Sequence, residues 1–164
     1  MRVLAGVLGG LLLGVALTLA LSPTYAQGGR ITGIRNINHV GIALDNFEES
    51  VSFYTQKLGF REVDRFKNDK GETTIVFVQA GPNTFLELAP SNANRPAGLT
   101  HFGVQVDNLG ATLAALKERG VMAPDARKVA PDWSLSSVMA PGARVEITEL
   151  GPQSSLEKAT ASLK

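Results

Sequence analysis

The chain writes one phrase twice and spends all its imidazole on it. Residues 38–46 read NHVGIALDN and residues 100–108 read THFGVQVDN; His39 and His101 are the only histidines among 164 residues, and they lie 62 positions apart. Two carboxylates keep nearly the same period. Glu87 sits in NTFLELA (83–89) and Glu146 in ARVEITE (143–149), 59 positions apart. Each is flanked by aliphatic residues, Leu86 and Leu88 or Val145 and Ile147. In a strand, alternation turns each glutamate to the face opposite its neighbours.

Alone, a strand histidine reads as a packed, hydrogen-bonded core residue, and a strand glutamate reads as a solvent-facing one. Their repetition together points to a metal site built from His39, Glu87, His101 and Glu146. A buried carboxylate needs a partner, and a divalent cation is a strong one. Two imidazoles with two carboxylates suit one Zn²⁺, Ni²⁺, Co²⁺, Mn²⁺ or Fe²⁺, and are too rich in nitrogen for Ca²⁺. Unlike a closed structural zinc, such a centre can expand its shell to take water or substrate. Glu87 or Glu146 is then the candidate catalytic base. Phe85, Gln105, Arg144 and Thr148 share strand faces with the four ligands and are expected to bind substrate. Trp133, in the polar segment APDWSLS, reads either as a pocket lid or as a core anchor.

These residues must be positioned by the elements around them. Residues 34–44 alternate as a strand. Asp45 and Asn46 read as helix caps, with Glu48 and Glu49 in the first turn. Phe47, Val51, Tyr54 and Leu58 follow at helical spacing until Gly59. Strands are expected over 60–64, 73–80 and 84–89, with turns at 68–71 and 81–83. A linker at 91–98 ends this half, and the pattern restarts. Strand 99–106 leads to caps Asp107 and Asn108, a helix through Leu109, Leu113 and Leu116 to Gly120, and strands at 126–130, 135–140 and 144–150. Glu149 alternates away from Glu146, toward solvent. Residues 154–164 read as a short amphipathic helix. The fold class is α+β: two βαβββ modules, 34–90 and 99–150, related by an approximate two-fold axis around a shared cleft, with 151–164 as a tail.

Composition narrows the function. Sixteen basic and fifteen acidic residues nearly cancel, and no basic stripe appears, so nucleic acid is excluded as the expected partner. The chain has no cysteine, which removes disulfides, thiolate nucleophiles and cysteine-ligated zinc. Residues 1–22 carry one charge, Arg2, and a long apolar run; Pro23 and Thr24-Tyr25-Ala26 follow. This reads as a signal peptide cleaved after Ala26, which makes the mature protein periplasmic or secreted. The alternative is an uncleaved membrane anchor over 3–22. Residues 27–33 form a glycine-rich leader.

The phrase HVGIALDNFEESVSFYTQKLGF and the ending APGARVEITEL resemble the vicinal oxygen chelate superfamily, which includes glyoxalase I, fosfomycin resistance proteins, extradiol dioxygenases, methylmalonyl-CoA epimerase and bleomycin resistance proteins. The resemblance runs from about Ile34 to Leu150. It implies a paired βαβββ fold, with the cleft built within one chain or by exchange of modules in a homodimer. The set His39, Glu87, His101, Glu146 is similar to the glyoxalase I pattern. The dioxygenases lack a ligand at the place of Glu87, and the epimerase has glutamine there. Bacterial glyoxalase I commonly carries a glutathione-binding arginine four residues after the first histidine; here that residue is Ala43, which argues against a glutathione substrate. The resemblance therefore implies a lyase, isomerase or epimerase. Its small-molecule substrate would be an α-hydroxy carbonyl, held by two adjacent oxygens on the metal and deprotonated to an enediolate. The alternatives are an Fe²⁺ ring-cleaving dioxygenase and a non-catalytic binding or resistance protein.

Overall fold

The computed structural model describes residues 30–162, so the signal and leader assignments for 1–29 lie outside the described residues. The first module runs β1 (Ile34–Leu44), α1 (Phe47–Ser52), a single wide π turn (Phe53–Lys57), β2 (Arg61–Lys67), β3 (Thr73–Gly81) and β4 (Thr84–Pro90). The second runs β5 (Gly98–Val106), α2 (Leu109–Glu118), β6 (Arg127–Ala130), β7 (Trp133–Ala140) and β8 (Ala143–Leu150). A last helix, α3 (Ser155–Ala161), closes the described chain. Both halves therefore repeat the βαβββ order, as their sequence pattern implies.

All eight strands join one sheet in the order β2-β3-β4-β1-β5-β8-β7-β6. Read from either edge, the strand order is the same, as an approximate two-fold axis requires. In each module, the first strand pairs in parallel with the fourth, and the two first strands pair antiparallel at the centre. The two modules thus meet within one chain, and their chemistry-bearing phrases lie side by side.

Each helix covers the outer face of its own module. In the first, Val51 packs with Val76, Val78 and Leu88, joined by Phe47, Tyr54 and Phe60. In the second, Leu109 and Leu113 pack with Val106, Val138, Val145 and Ile147. The helix expected through Leu58 widens after Ser52, where the Leu58 amide donates to the Phe53 carbonyl at 3.1 Å, five residues back. The extra residue per turn swings Leu58 outward, 49% exposed, and Phe60 takes its place, stacked on Tyr54 at 6.2 Å. At the start of α2, Asn108 caps as expected, its side chain accepting from the Ala111 amide at 2.8 Å. Asn46 makes no such bond. Asp45 instead accepts from the Ser91 hydroxyl at 2.5 Å, tying the loop after β4 to the loop after β1. Glu149 also departs from a solvent role. Its carboxylate accepts from the Leu109 amide at 2.7 Å and places a negative charge at the positive end of α2.

The inner face is filled at one end by a third cluster of Phe77, Phe85, Trp133, Leu150, Leu156 and Ala159. Leu156 and Ala159 come from α3, so the terminal helix is a plug for the core rather than a tail. Ser154 caps it, and Arg61 donates to the Ala159 carbonyl at 3.0 Å. Trp133 lies within β7, 3% exposed, edge-on to Phe77 at 5.2 Å and to Phe66 at 5.9 Å. It therefore draws β7 of one module against β2 and β3 of the other, and its indole N–H donates to Thr148 at 2.7 Å.

Candidate metal centre

Strand register decides where the four predicted ligands go. Across the four central strands β4-β1-β5-β8, one row reads Phe85, His39, Gly103, Glu146 and the next reads Glu87, Gly41, His101, Arg144. In each row a glycine separates histidine from glutamate. The glycine has no side chain, so the imidazole lies over it and reaches the carboxylate beyond. A Cβ added at Gly103 would overlap the His39 ring, and one at Gly41 would overlap the His101 ring. The repeated His-x-Gly is thus a reciprocal device: each module's glycine is the seat of the other module's histidine.

The four side chains converge. His39 Nε2 lies 3.6 Å from Glu146 Oε2 and 3.9 Å from Glu87 Oε2; His101 Nε2 lies 3.5 Å from Glu87 Oε2 and 3.7 Å from Glu146 Oε2. One ligand atom from each residue falls within a 4.8 Å span. These separations are long for hydrogen bonds. They match ligand atoms about 3–4 Å apart around a cation that each would touch at about 2.0–2.2 Å. Both Nε2 atoms are buried and have no hydrogen-bond partner among the described residues. Two orphaned imidazole nitrogens facing two carboxylates fit a divalent cation.

The residues before the histidines complete the arrangement. Asn38 and Thr100 are each the extra residue at a bulge in the β1–β5 ladder. The bulge turns their side chains to the neighbouring ring. Asn38 Oδ1 lies 2.9 Å from His39 Nδ1, and Thr100 Oγ1 lies 2.8 Å from His101 Nδ1. Asn38 Oδ1 only accepts, so it holds the His39 proton on Nδ1 and turns that Nε2 lone pair to the centre; the Thr100 hydroxyl can take either role at His101. Neither residue, nor either glycine's role, was anticipated from composition; the signal was the tetrapeptide pair NHVG and THFG.

The rows also expose an asymmetry. Arg144 is the counterpart of Phe85, and it gives the second half a cation where the first has a buried ring. Its guanidinium donates to Glu146 Oε1 at 2.5 Å and to His101 Nδ1 at 2.7 Å. A guanidinium only donates, so Nδ1 accepts here and the His101 proton sits on Nε2. Were Nε2 to hold a cation, the ring proton would sit on Nδ1, where Thr100 Oγ1 rather than Arg144 would be its partner. Burial alone would raise the Glu146 carboxyl pKa. The approach of His39, then the charges of His101, Arg144 and His39, outweigh burial and hold it at about 2. Glu87 has no arginine and is the more accessible of the pair, its side chain 13% exposed against 6%.

Residues 36–138 match the Glyoxalase/Bleomycin resistance protein/Dioxygenase superfamily. The chain belongs to that superfamily. Human mitochondrial methylmalonyl-CoA epimerase is 27% identical over 104 residues, 57% of this chain and 58% of that protein. The protein YwkD of Bacillus subtilis is 28% identical over 96 residues, 54% of this chain and 74% of that one. The chain thus spans under two thirds of the human relative. Among solved structures, the Mycobacterium tuberculosis methylmalonyl-CoA epimerase has a TM-score of 0.61 at 24% identity, covering 75% of this chain and 91% of that one. The Streptomyces coelicolor epimerase has a TM-score of 0.62 at 16% identity, covering 72% and 99%.

In this member of the superfamily, Glu87 and Glu146 floor a cleft of about 370 Å³ walled by Phe66, Ile75, Phe77, Val129, Trp133 and Leu135. Trp133 is both wall and core anchor. Three residues expected at the substrate are placed elsewhere. Phe85 is fully buried in the inner cluster. Gln105, 1% exposed, bonds Asn83 and Glu157; Thr148, fully buried, accepts from Trp133. All three share the ligands' strand faces, but the curl of the sheet and the α3 plug cover them. Arg144 sits at the ligands themselves.

Two outcomes follow from this geometry. Gly103→Ala pushes the His39 ring off its seat and costs about 1–3 kcal/mol of overpacking strain; urea unfolding reads the loss, and zinc titration reads a weakened centre. An ionised Glu146 with a depressed pKa stabilises the fold above the ordinary carboxylate range, and that contribution disappears as pH falls toward about 2. The urea midpoint of the metal-free protein therefore drops between about pH 5 and about pH 2, and Glu146→Gln flattens the slope.

Proposed function

We propose that this chain is a metal-dependent isomerase of the epimerase type, which moves a proton on a carbon beside two chelated oxygens. The observation that carries this reading is the convergence of four ligand atoms with two partnerless Nε2 nitrogens. His39, His101, Glu146 and Glu87 would hold the cation. A divalent ion there supplies Lewis acidity, which polarises two adjacent substrate oxygens and acidifies the neighbouring C–H.

The chain's own residues do the rest. Asn38 and Thr100 hold the imidazoles in ligating orientation. Arg144 pins one oxygen of Glu146, so this carboxylate is the fixed ligand and a weak base. Glu87 has no such clamp and faces the cleft; it is the carboxylate free to take the proton and return it to either face of the carbon. Phe66, Phe77 and Trp133 give the reacting carbon an apolar wall. The related proteins named as methylmalonyl-CoA epimerases support the reaction class. The substrate we favour is an α-hydroxy carbonyl or an acyl compound with two adjacent carbonyl-type oxygens. The intact quartet weighs against a binding-only protein, and the seat taken by Glu87 weighs against an oxygenase that needs an open position. We also read residues 1–26 as an export signal, which the mass of the mature protein tests: loss of those residues supports it, and an intact N-terminus in the soluble fraction overturns it.

Two variants separate the carboxylate roles. Zinc-loaded Glu87→Gln keeps most of its metal and loses substrate C–H exchange into deuterium oxide by about 10²–10⁴-fold. Glu146→Gln loses metal first, as elemental analysis reads. Protein that takes up no divalent ion on titration overturns the function.

A further inference from the structure

The rim of the cleft carries a charge that neither the fold nor the proposed chemistry requires. Above the floor of Glu87 and Glu146, the lining residues include Lys67 at the end of β2 and Arg127 and Lys128 at the start of β6. These strands are the two outer edges of the sheet, so the cations come from opposite modules. All three are exposed. Apart from the two floor glutamates, no acidic residue lines the cleft.

Most of the other basic residues are engaged. Arg35 pairs with Asp107, Arg65 with Glu62 and Glu48, Lys117 with Asp125, and Arg144 with Glu146. Arg61 is held by Gln79 and the Ala159 carbonyl, and Arg95 by the Pro90 carbonyl. Among the described residues, Lys67, Arg127 and Lys128 have no ion pair or side-chain hydrogen bond; Lys57, Lys70 and Lys158 are also unpaired but do not line the cleft. Arg127 is the one arginine after Arg30 in this condition. Arginine is the side chain best shaped to grip a carboxylate or phosphate with two parallel bonds.

We propose that Lys67, Arg127 and Lys128 form an anion-binding rim, and that the substrate carries a carboxylate or phosphate at the end remote from its chelating oxygens. The inference rests on the chelation function above and adds the substrate class. The walls set the order of groups along the substrate. Two adjacent oxygens lie on the floor, an apolar stretch runs against Phe66, Val129 and Trp133, and an anion lies at the mouth. Without that anion, cations from the two opposite edge strands line a cleft whose only acidic residues are the floor glutamates, although Lys128 also borders a smaller hollow with Asp132 and Glu149. With it, the cations are neutralised as the substrate seats.

The test uses hydroxamates, which chelate a metal through two adjacent oxygens. A series with two to six methylene groups ends in a carboxylate, a phosphonate or an isosteric neutral amide. Binding to the zinc-loaded full chain is measured by calorimetry. At one or more lengths an anionic member binds at least about tenfold tighter than its amide, and the gap narrows between about 0.02 M and about 0.5 M salt. Whether the carboxylate or the phosphonate gains more identifies the anion. The K67Q/R127Q/K128Q variant retains zinc affinity and amide binding and loses the gap. If the amides bind and the anionic members bind no better at any length, or if the triple variant keeps the gap, the rim assignment falls and the chelation function stands. If no hydroxamate binds a chain that holds zinc, the chelation function falls and takes the rim with it.

Discussion

One steric fact organises the centre of this protein: two imidazole rings lie where two glycine side chains are missing. The antiparallel pairing of β1 with β5 sets His39 opposite Gly103 and Gly41 opposite His101. The parallel pairings with β4 and β8 then bring Glu87 and Glu146 to the same two rows. Nothing larger than hydrogen fits at either glycine while the ring is in place. The duplication is therefore more than a record of ancestry. A single module has a histidine without a seat and a glutamate without a partner, and only the pair completes either row.

The same rows show how a symmetric scaffold acquires unequal halves. His39 and His101, Gly41 and Gly103, and Glu87 and Glu146 are equivalent, but Phe85 and Arg144 are not. Phe85 is buried with Phe77 and Trp133 and closes one end of the inner face. Arg144 remains at the site and clamps the neighbouring carboxylate. One substitution between the modules thus gives two glutamates different freedom. The proton transfer proposed above would use such a division, with one carboxylate held and the other free.

The cleft exists because only part of the inner face is filled. Trp133 gathers Phe66 and Phe77 across the module boundary, and α3 inserts Leu156 and Ala159 behind them. The remaining space opens over the two glutamates. Long-range aromatic packing and a helix outside both repeats therefore shape the pocket whose floor the repeats provide.

Much of this was legible in one dimension. The doubled phrase, the two glutamates at nearly the same period and the strand alternation around them determined the βαβββ repeat and the identity of the quartet. These are local rules: period two in strands, caps before helices, polar atoms on an apolar strand turned away from their neighbours. What they leave open is register and curvature. Whether Phe85, Gln105 and Thr148 face substrate or core depends on how tightly the sheet curls and on what α3 covers, and neither is encoded by alternation. Asn38 and Thr100 gained their roles from bulges, which shift one residue in the ladder and leave no mark in residue spacing. The wide turn after Ser52 and the pairing of Glu149 with the start of α2 are likewise set by neighbours distant in the chain. The sequence by itself thus named the four residues that converge. Tertiary structure decided which carboxylate is held, which is free, and what surrounds them, because those depend on contacts between the two modules that exist only once they have paired.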